Sequence, residues 1–181
     1  AVTQTLGDYL QDKKLLVLLD NCEHLLDGCA QLAHAILRHC PGVRILASSR
    51  EALAIAGEQA YRVPSLSVPD PRQARTPESI APFEAVQLFI DRAVLARPDF
   101  RVTKGNATTI ASICYRLDGI PLAIELAAAR VRSLPLATLA ERLADTVGLL
   151  TTGPRSVDQR QRTVGALVDW LTANFGPLFS V

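Results

Sequence analysis

Methionine is absent from the 181 residues and tryptophan occurs once. With no initiator residue, the chain is expected to be an internal piece of a longer polypeptide. No apolar run approaches the roughly 18 residues of a membrane helix, and no basic-then-apolar signal pattern opens the chain. Charge of one sign is not in excess either. Nineteen Lys and Arg against 18 Asp and Glu leave a net charge of +1, which gives no electrostatic footprint for nucleic acid or an anionic membrane. A cytoplasmic protein that does not engage a membrane is the expectation. The four cysteines show no paired CxxC spacing, so neither a disulfide framework nor a Cys/His metal site is expected, although His24, His34 and His39 fall in one helical segment with several of them. Cys22, Cys29 and Cys40 lie in or beside a helical stripe with Leu25, Leu32 and Ile36 and read as small buried residues. A dinucleotide fingerprint GxGxxG is missing, which sets aside a Rossmann oxidoreductase. No internal repeat is visible.

What is present is a chain 49% hydrophobic, long enough for one domain, or for one and a small second. The run Leu15-Leu16-Val17-Leu18-Leu19, bounded by Lys13-Lys14 and Asp20-Asn21, reads as a strand buried on both faces of a parallel sheet. Before it, Val2, Leu6 and Leu10 suit a helix. After it, apolar residues at three- and four-residue spacing predict a helix over about 22–39, ended by Pro41-Gly42. Val43 to Ala47 makes the next buried strand, and Ser48-Ser49-Arg50 falls at its carboxyl end, on the same side of the sheet as Asp20. Asp20 is then either the N-cap of the following helix or a ligand-facing carboxylate where open α/β sheets bind their ligands. A guanidinium fixed at the same crevice can bond a terminal phosphate in bidentate fashion, though one arginine after a strand is commonly a surface residue.

Tyr61-Arg62-Val63 reads as a further strand. Prolines at 64, 69, 71, 77 and 82 exclude helix interior and central strand, so residues 64–80 read as a linker. Helical periodicity resumes with Val86, Phe89, Ile90, Ala93 and Val94, then with Ile110, Ile113, Cys114 and Leu117, for which Asn106 is the expected N-cap. Asp118-Gly119-Ile120-Pro121 breaks the pattern, with Gly119 suited to a helix end and Pro121 to the first turn of the next helix. Helices from Leu122 to about Arg132 and near Leu136 to Leu143 follow. Val164, Leu167, Val168, Leu171 and Phe175 repeat at helical spacing after Arg160-Gln161-Arg162.

Taken in series, Leu18-Leu19-Asp20-Asn21-Cys22-Glu23-His24-Leu25-Leu26, Cys40-Pro41-Gly42-Val43-Arg44-Ile45-Leu46-Ala47-Ser48-Ser49-Arg50-Glu51 and Arg116-Leu117-Asp118-Gly119-Ile120-Pro121-Leu122-Ala123 resemble the nucleotide-binding module of STAND-class P-loop NTPases. The likeness is to the NB-ARC-like branch found in bacterial LuxR-type and AfsR-type transcriptional regulators, and it covers nearly the whole chain. It implies an α/β fold: a partial P-loop NTPase parallel sheet over 1–63, the linker 64–80, an all-α helical lid over 81–153 and the start of a winged-helix domain over 154–181. It also implies roles. Asp20 would hold Mg²⁺ as the Walker B acid, Arg50 would sense the γ-phosphate with Ser48 or Ser49 beside it, and Pro121 of a GLPLA-like motif, here with Ile120, would pack on adenine.

Two departures qualify the likeness. No GxxxxGK[ST] loop occurs, so phosphate affinity should be largely missing from this chain, and ATP or ADP with Mg²⁺ is expected only in the complete parent. The residue after Asp20 is Asn21, which cannot act as a general base; Glu23 is the nearest carboxylate for that catalytic role. The expected function is thus a fragment of the ATP-binding regulatory switch of a signalling ATPase, unable to hydrolyse ATP alone. The alternative is a non-catalytic interaction or oligomerisation module. A missing P-loop strand between the strands at 43–47 and 60–63 would leave open edges, so self-association or local repacking is expected, with DNA contacted only through a domain outside this chain.

Overall fold

Five apolar residues between Lys14 and Asp20 form strand β1, Leu15–Leu19, in a computed structural model that describes residues 2–148 and residue 165. The expected winged-helix start at 154–181 lies, but for residue 165, outside the described residues. The fold is mixed α/β and mostly helical, with seven helices and a two-stranded parallel sheet among the described residues. Two compact units divide the chain, Ala1–Val63 and Pro64–Val181.

In the first unit, helix α1 (Val2–Leu10) precedes β1, and a 3-10 turn (Cys22–His24) and helix α2 (Leu26–His39) lead to strand β2, Val43–Ala47. The strands pair in parallel, Leu15 beside Val43 through Leu19 beside Ala47. Such a pair needs a crossover of a dozen or so residues, which α2 supplies. Alternation decides what is buried. Leu15, Val17 and Ile45 pack with Leu10, Ile36, Cys40 and Val43, while Leu19 and Ala47 pack around Cys22, Ala33 and Leu53.

The opposite face of the sheet corrects the sequence expectation. Leu16, Leu18 and Leu46 are 57%, 66% and 61% exposed, so the strands are covered on one face, not two. The helices of this unit lie on one side, and an unbroken apolar run cannot reveal which neighbours are present. A second correction concerns the helix expected over 22–39. Leu25, at φ −140°, interrupts it after the 3-10 turn and is 71% exposed, so it leaves the stripe to which it was assigned. The expected strand at 61–63 is also absent: Tyr61 and Val63 are 82% and 74% exposed, with no strand paired to them. Aromatic and β-branched residues favour strands only where a neighbour accepts their backbone and side chains.

The second unit contains helices α3 (Pro77–Ile80), α4 (Glu84–Ala96), α5 (Ala107–Arg116), α6 (Pro121–Ala129) and α7 (Leu136–Gly148), with a 3-10 turn at Arg130–Arg132. The periodic residues Val86, Phe89, Ala93, Ile110, Ile113, Cys114 and Leu117 are fully buried, together with Ile124, Leu139 and Leu143. Phe100, in the loop after α4, also enters this core and meets Phe89 edge to face at 6.3 Å. Residues 64–80 are more ordered than a plain linker: Thr76 and Ser79 form a capping box on α3, and Ser67 and Glu84 exchange hydrogen bonds of 3.0 and 3.1 Å. Asn106 stands at the N-cap of α5 but does not cap it. Its Oδ1 accepts from Thr103 N at 2.8 Å and its Nδ2 donates to Arg101 O at 3.0 Å, closing the preceding loop instead.

Candidate functional site at the carboxyl end of the sheet

The in-step parallel register fixes the site. Because Leu19 lies beside Ala47, the residues that leave the two strands, Asp20 and Ser48, leave side by side. Ser48 is a hub. Its N–H donates to Leu19 O at 2.8 Å, its carbonyl accepts from Cys22 N at 2.9 Å, its Oγ accepts from Asn21 N at 2.9 Å, and its hydroxyl donates to Asp20 Oδ1. The turn after β1 is therefore sewn to the end of β2. Asn21 adopts φ 60° and ψ 46°, a left-handed conformation that asparagine tolerates better than most residues. Neither the 3-10 turn nor α2 has a side-chain cap, so the Asp20 carboxylate is committed to Ser48 and not to helix capping.

The second pair lies one turn further on. Arg50 Nε donates to Glu23 Oε1 at 3.0 Å, with the arginine side chain half exposed and the glutamate 16% exposed. With its amide nitrogen toward Glu23, Asn21 donates to both carboxylate oxygens, at 2.9 and 3.3 Å. The Glu23 carboxyl is held below the usual glutamate range, first by its own backbone N–H and then by the Arg50 hydrogen bond and charge, against partial burial, which acts the other way. The geometry makes Glu23 the partner of Arg50.

The arrangement gathers four of the expected residues at one sheet end, with Asp20 bonded to Ser48 and Glu23 to Arg50. Ser49 is turned to local work: its Oγ accepts from Glu51 N at 3.3 Å. Ser48, not Ser49, is the serine that touches Asp20, and strand register is the signal that finds it. Pro121 belongs to the second unit, at the first turn of α6, where it and Leu122 are exposed. Ahead of it, Asp118 (φ 52°) and Gly119 (φ 64°) turn the chain, and Leu66 N donates to Gly119 O at 2.9 Å. Among the described residues no cluster of three or more His, Cys, Asp or Glu is arranged to hold a metal. Asp20 with Ser48 is an oxygen pair of the kind Mg²⁺ takes alongside water and phosphate.

The structure thus defines a mixed α/β protein with an acid, a hydroxyl and a guanidinium at the carboxyl end of a parallel strand pair. The chain is similar to proteins named as transcriptional regulators. It is 46% identical over 166 residues to "Putative HTH-type transcriptional regulator Rv0890c" of Mycobacterium tuberculosis, covering 92% of this chain and 17% of that protein. It is 40% identical over 166 residues to "Uncharacterized protein Rv0894" of the same organism, covering 92% of this chain and 39% of that one. The chain therefore spans well under half the length of these curated relatives. No family model matches it, and no solved structure matches it. Among the described residues no helix is long and apolar enough to cross a membrane.

Proposed function

We propose that this chain is part of the ATP-binding regulatory switch of a STAND-type, NB-ARC-like signalling ATPase within a LuxR- or AfsR-type transcriptional regulator. The observation that carries the proposal is the parallel pairing of β1 with β2, which sets Asp20, Ser48 and Arg50 at one sheet end in the order the resemblance requires. The regulator name of a relative supports the transcriptional-regulator part of this reading. Asp20 and Ser48 offer oxygens suited to Mg²⁺ with its retained waters, and Arg50 offers a cation to the terminal phosphate. Bound Mg²⁺ would neutralise phosphate charge. The residues here hold and orient; the amide cradle and lysine that bind phosphates tightly have no counterpart in residues 1–181. Pro121 supplies an exposed apolar surface for adenine, and DNA is contacted by a domain outside this chain.

Calorimetric titration with Mg-ATP and Mg-ADP tests this. This chain alone is expected to bind neither measurably, whereas the longer polypeptide that includes a phosphate-binding loop is expected to bind both. Asp20→Ala should weaken Mg-dependent binding of each nucleotide, and Arg50→Ala should weaken ATP more than ADP. Equal affinities of the extended protein and both variants would overturn the assignment.

A second function, as an interaction or oligomerisation module, is favoured by the open face of the sheet. Leu16, Leu18 and Leu46 form an exposed apolar strip on a sheet with both edges unpaired among the described residues. Sedimentation of this chain over a range of concentrations distinguishes the two: association abolished by Leu18→Glu supports the module, and a monomer throughout counts against it.

A further inference from the structure

The four cysteines do not sit alike. Cys40 is fully buried among Leu10, Ile36 and Val43, with its Sγ donating to Gly7 O at 3.5 Å. Cys114 is fully buried in the helical unit and burial pushes its thiol up to about 12. Each has an apolar cluster without a second cysteine. Cys22 and Cys29, by contrast, share one cluster: Cys22 is buried with Ala33 and Leu53, and the half-buried Cys29 packs against them. Cys22 Sγ donates to Leu19 O at 3.5 Å, and Cys29, in the first turns of α2, has the more exposed sulfur-bearing side chain.

We infer that Cys22 and Cys29 form an oxidisable dithiol, a modification site at which a hydroperoxide closes an intrachain disulfide between the turn that carries Glu23 and helix α2. Exposure divides the labour. The Cys29 thiolate attacks the peroxide oxygen, the O–O bond breaks, and water or an alcohol leaves with a proton while sulfur becomes a sulfenic acid. Cys22 sulfur then attacks Cys29 sulfur; the S–S bond forms, the S–O bond breaks, and the hydroxide takes the Cys22 proton to leave as water. Two thiols lose two electrons and two protons, and one peroxide is reduced.

The environment of Cys22 suits the second role. Cys22 is only 2% exposed, so it is shielded from peroxide until a neighbouring sulfenic acid presents itself. The bond would tie the turn that carries Glu23 to α2. Glu23 holds Arg50, and Cys22 N donates to Ser48 O, so oxidation is felt at the proposed nucleotide end.

The test does not depend on nucleotide. The native full chain is treated with hydrogen peroxide, quenched, unfolded, alkylated with iodoacetamide and cut after Lys and Arg. Both thiols then lie in the single peptide 15–38, since Lys14 and Arg38 flank it. The expected result is loss of both alkylations on that peptide with a mass lower by two hydrogens, their recovery after dithiothreitol, and full alkylation of Cys40 and Cys114. Cys22→Ser should leave a sulfenic acid on Cys29 that dimedone traps, and Cys29→Ser should leave Cys22 alkylatable; circular dichroism checks that both variants are folded. Full alkylation of peptide 15–38 after peroxide, or dimedone labelling of Cys22 in place of Cys29, overturns the inference.

Discussion

Gly119→Ala isolates how the helical unit is held together where α5 hands over to α6. Gly119 has φ 64°, and a Cβ built there would press into the Leu66 carbonyl oxygen and stand 3.0 Å from Leu66 C and 3.1 Å from Leu66 N. These are backbone atoms, so no rotamer change relieves the clash. Alanine in the left-handed region costs roughly 1–2 kcal/mol by itself. Moving Leu66 away breaks its 2.9 Å bond to Gly119 O, worth about 1 kcal/mol. The expected loss is about 2–3 kcal/mol, a fall of about 1–1.5 M in the urea midpoint for a slope of about 2 kcal/mol/M. Far-UV circular dichroism follows the transition, and hydrogen exchange of residues 107–129 assigns it to α5 and α6. Gly105→Ala is the control, because its Cβ would meet only Thr103 Oγ1 at 3.7 Å; it should stay within about 0.5 kcal/mol of the parent. Equal midpoints for both variants would refute the close approach of residue 66 to the turn.

Other consequences follow from burial and charge. Ile36→Ala, in the covered core of the first unit, should cost about 2–5 kcal/mol, whereas Leu18→Glu on the open face should change stability by less than about 0.5 kcal/mol; paired denaturation curves decide, and comparable losses would mean that the face is covered. Glu84 titrates below the usual glutamate value, held there first by the Ser67 backbone N–H and then by the Ser67 side chain. A depressed carboxyl contributes stability that is present above the unfolded value of 4.5 and lost as pH falls through the lower folded one. Acid unfolding of Glu84→Gln should therefore show a shallower decline below pH 4.5 than the parent, and superimposable acid limbs would exclude the bond as the cause.

Legibility followed the length scale of the forces involved. Bounded apolar runs located β1 and β2, and periodicity located α4 and α5, where residues spaced for burial, such as Phe89 and Ile113, are those the core swallows. Gly119 and Pro121 marked their turn because each has a backbone requirement of its own. What stayed hidden depended on neighbours. Tyr61 and Val63 have strand propensity and no strand beside them, and Leu16 and Leu18 have the apolarity of a two-sided strand and helices on one side only. The site divides along the same line. Asp20 and Arg50 stand out singly at strand ends, but the choice of Ser48 over Ser49 needs the register, and the use of Glu23 as the partner of Arg50 needs the left-handed turn at Asn21.

The register carries one more step. Even-numbered residues of β1 and β2 share the open face, so Leu16, Leu18 and Asp20 run along it beside Arg44, Leu46 and Ser48. The Asp20 and Ser48 pair is therefore the polar end of the same surface whose apolar body is exposed. Whatever covers Leu18 and Leu46 must approach Asp20 and Ser48 as well, which couples the two functions proposed for this chain: covering the face and presenting a ligand to the acid are consecutive stretches of one surface. Leu18→Glu consequently serves both assays. It should suppress self-association in this chain and, in the longer polypeptide with its phosphate-binding loop, weaken Mg-ATP binding although residue 18 touches no phosphate. Normal binding by that variant would uncouple the face from the site.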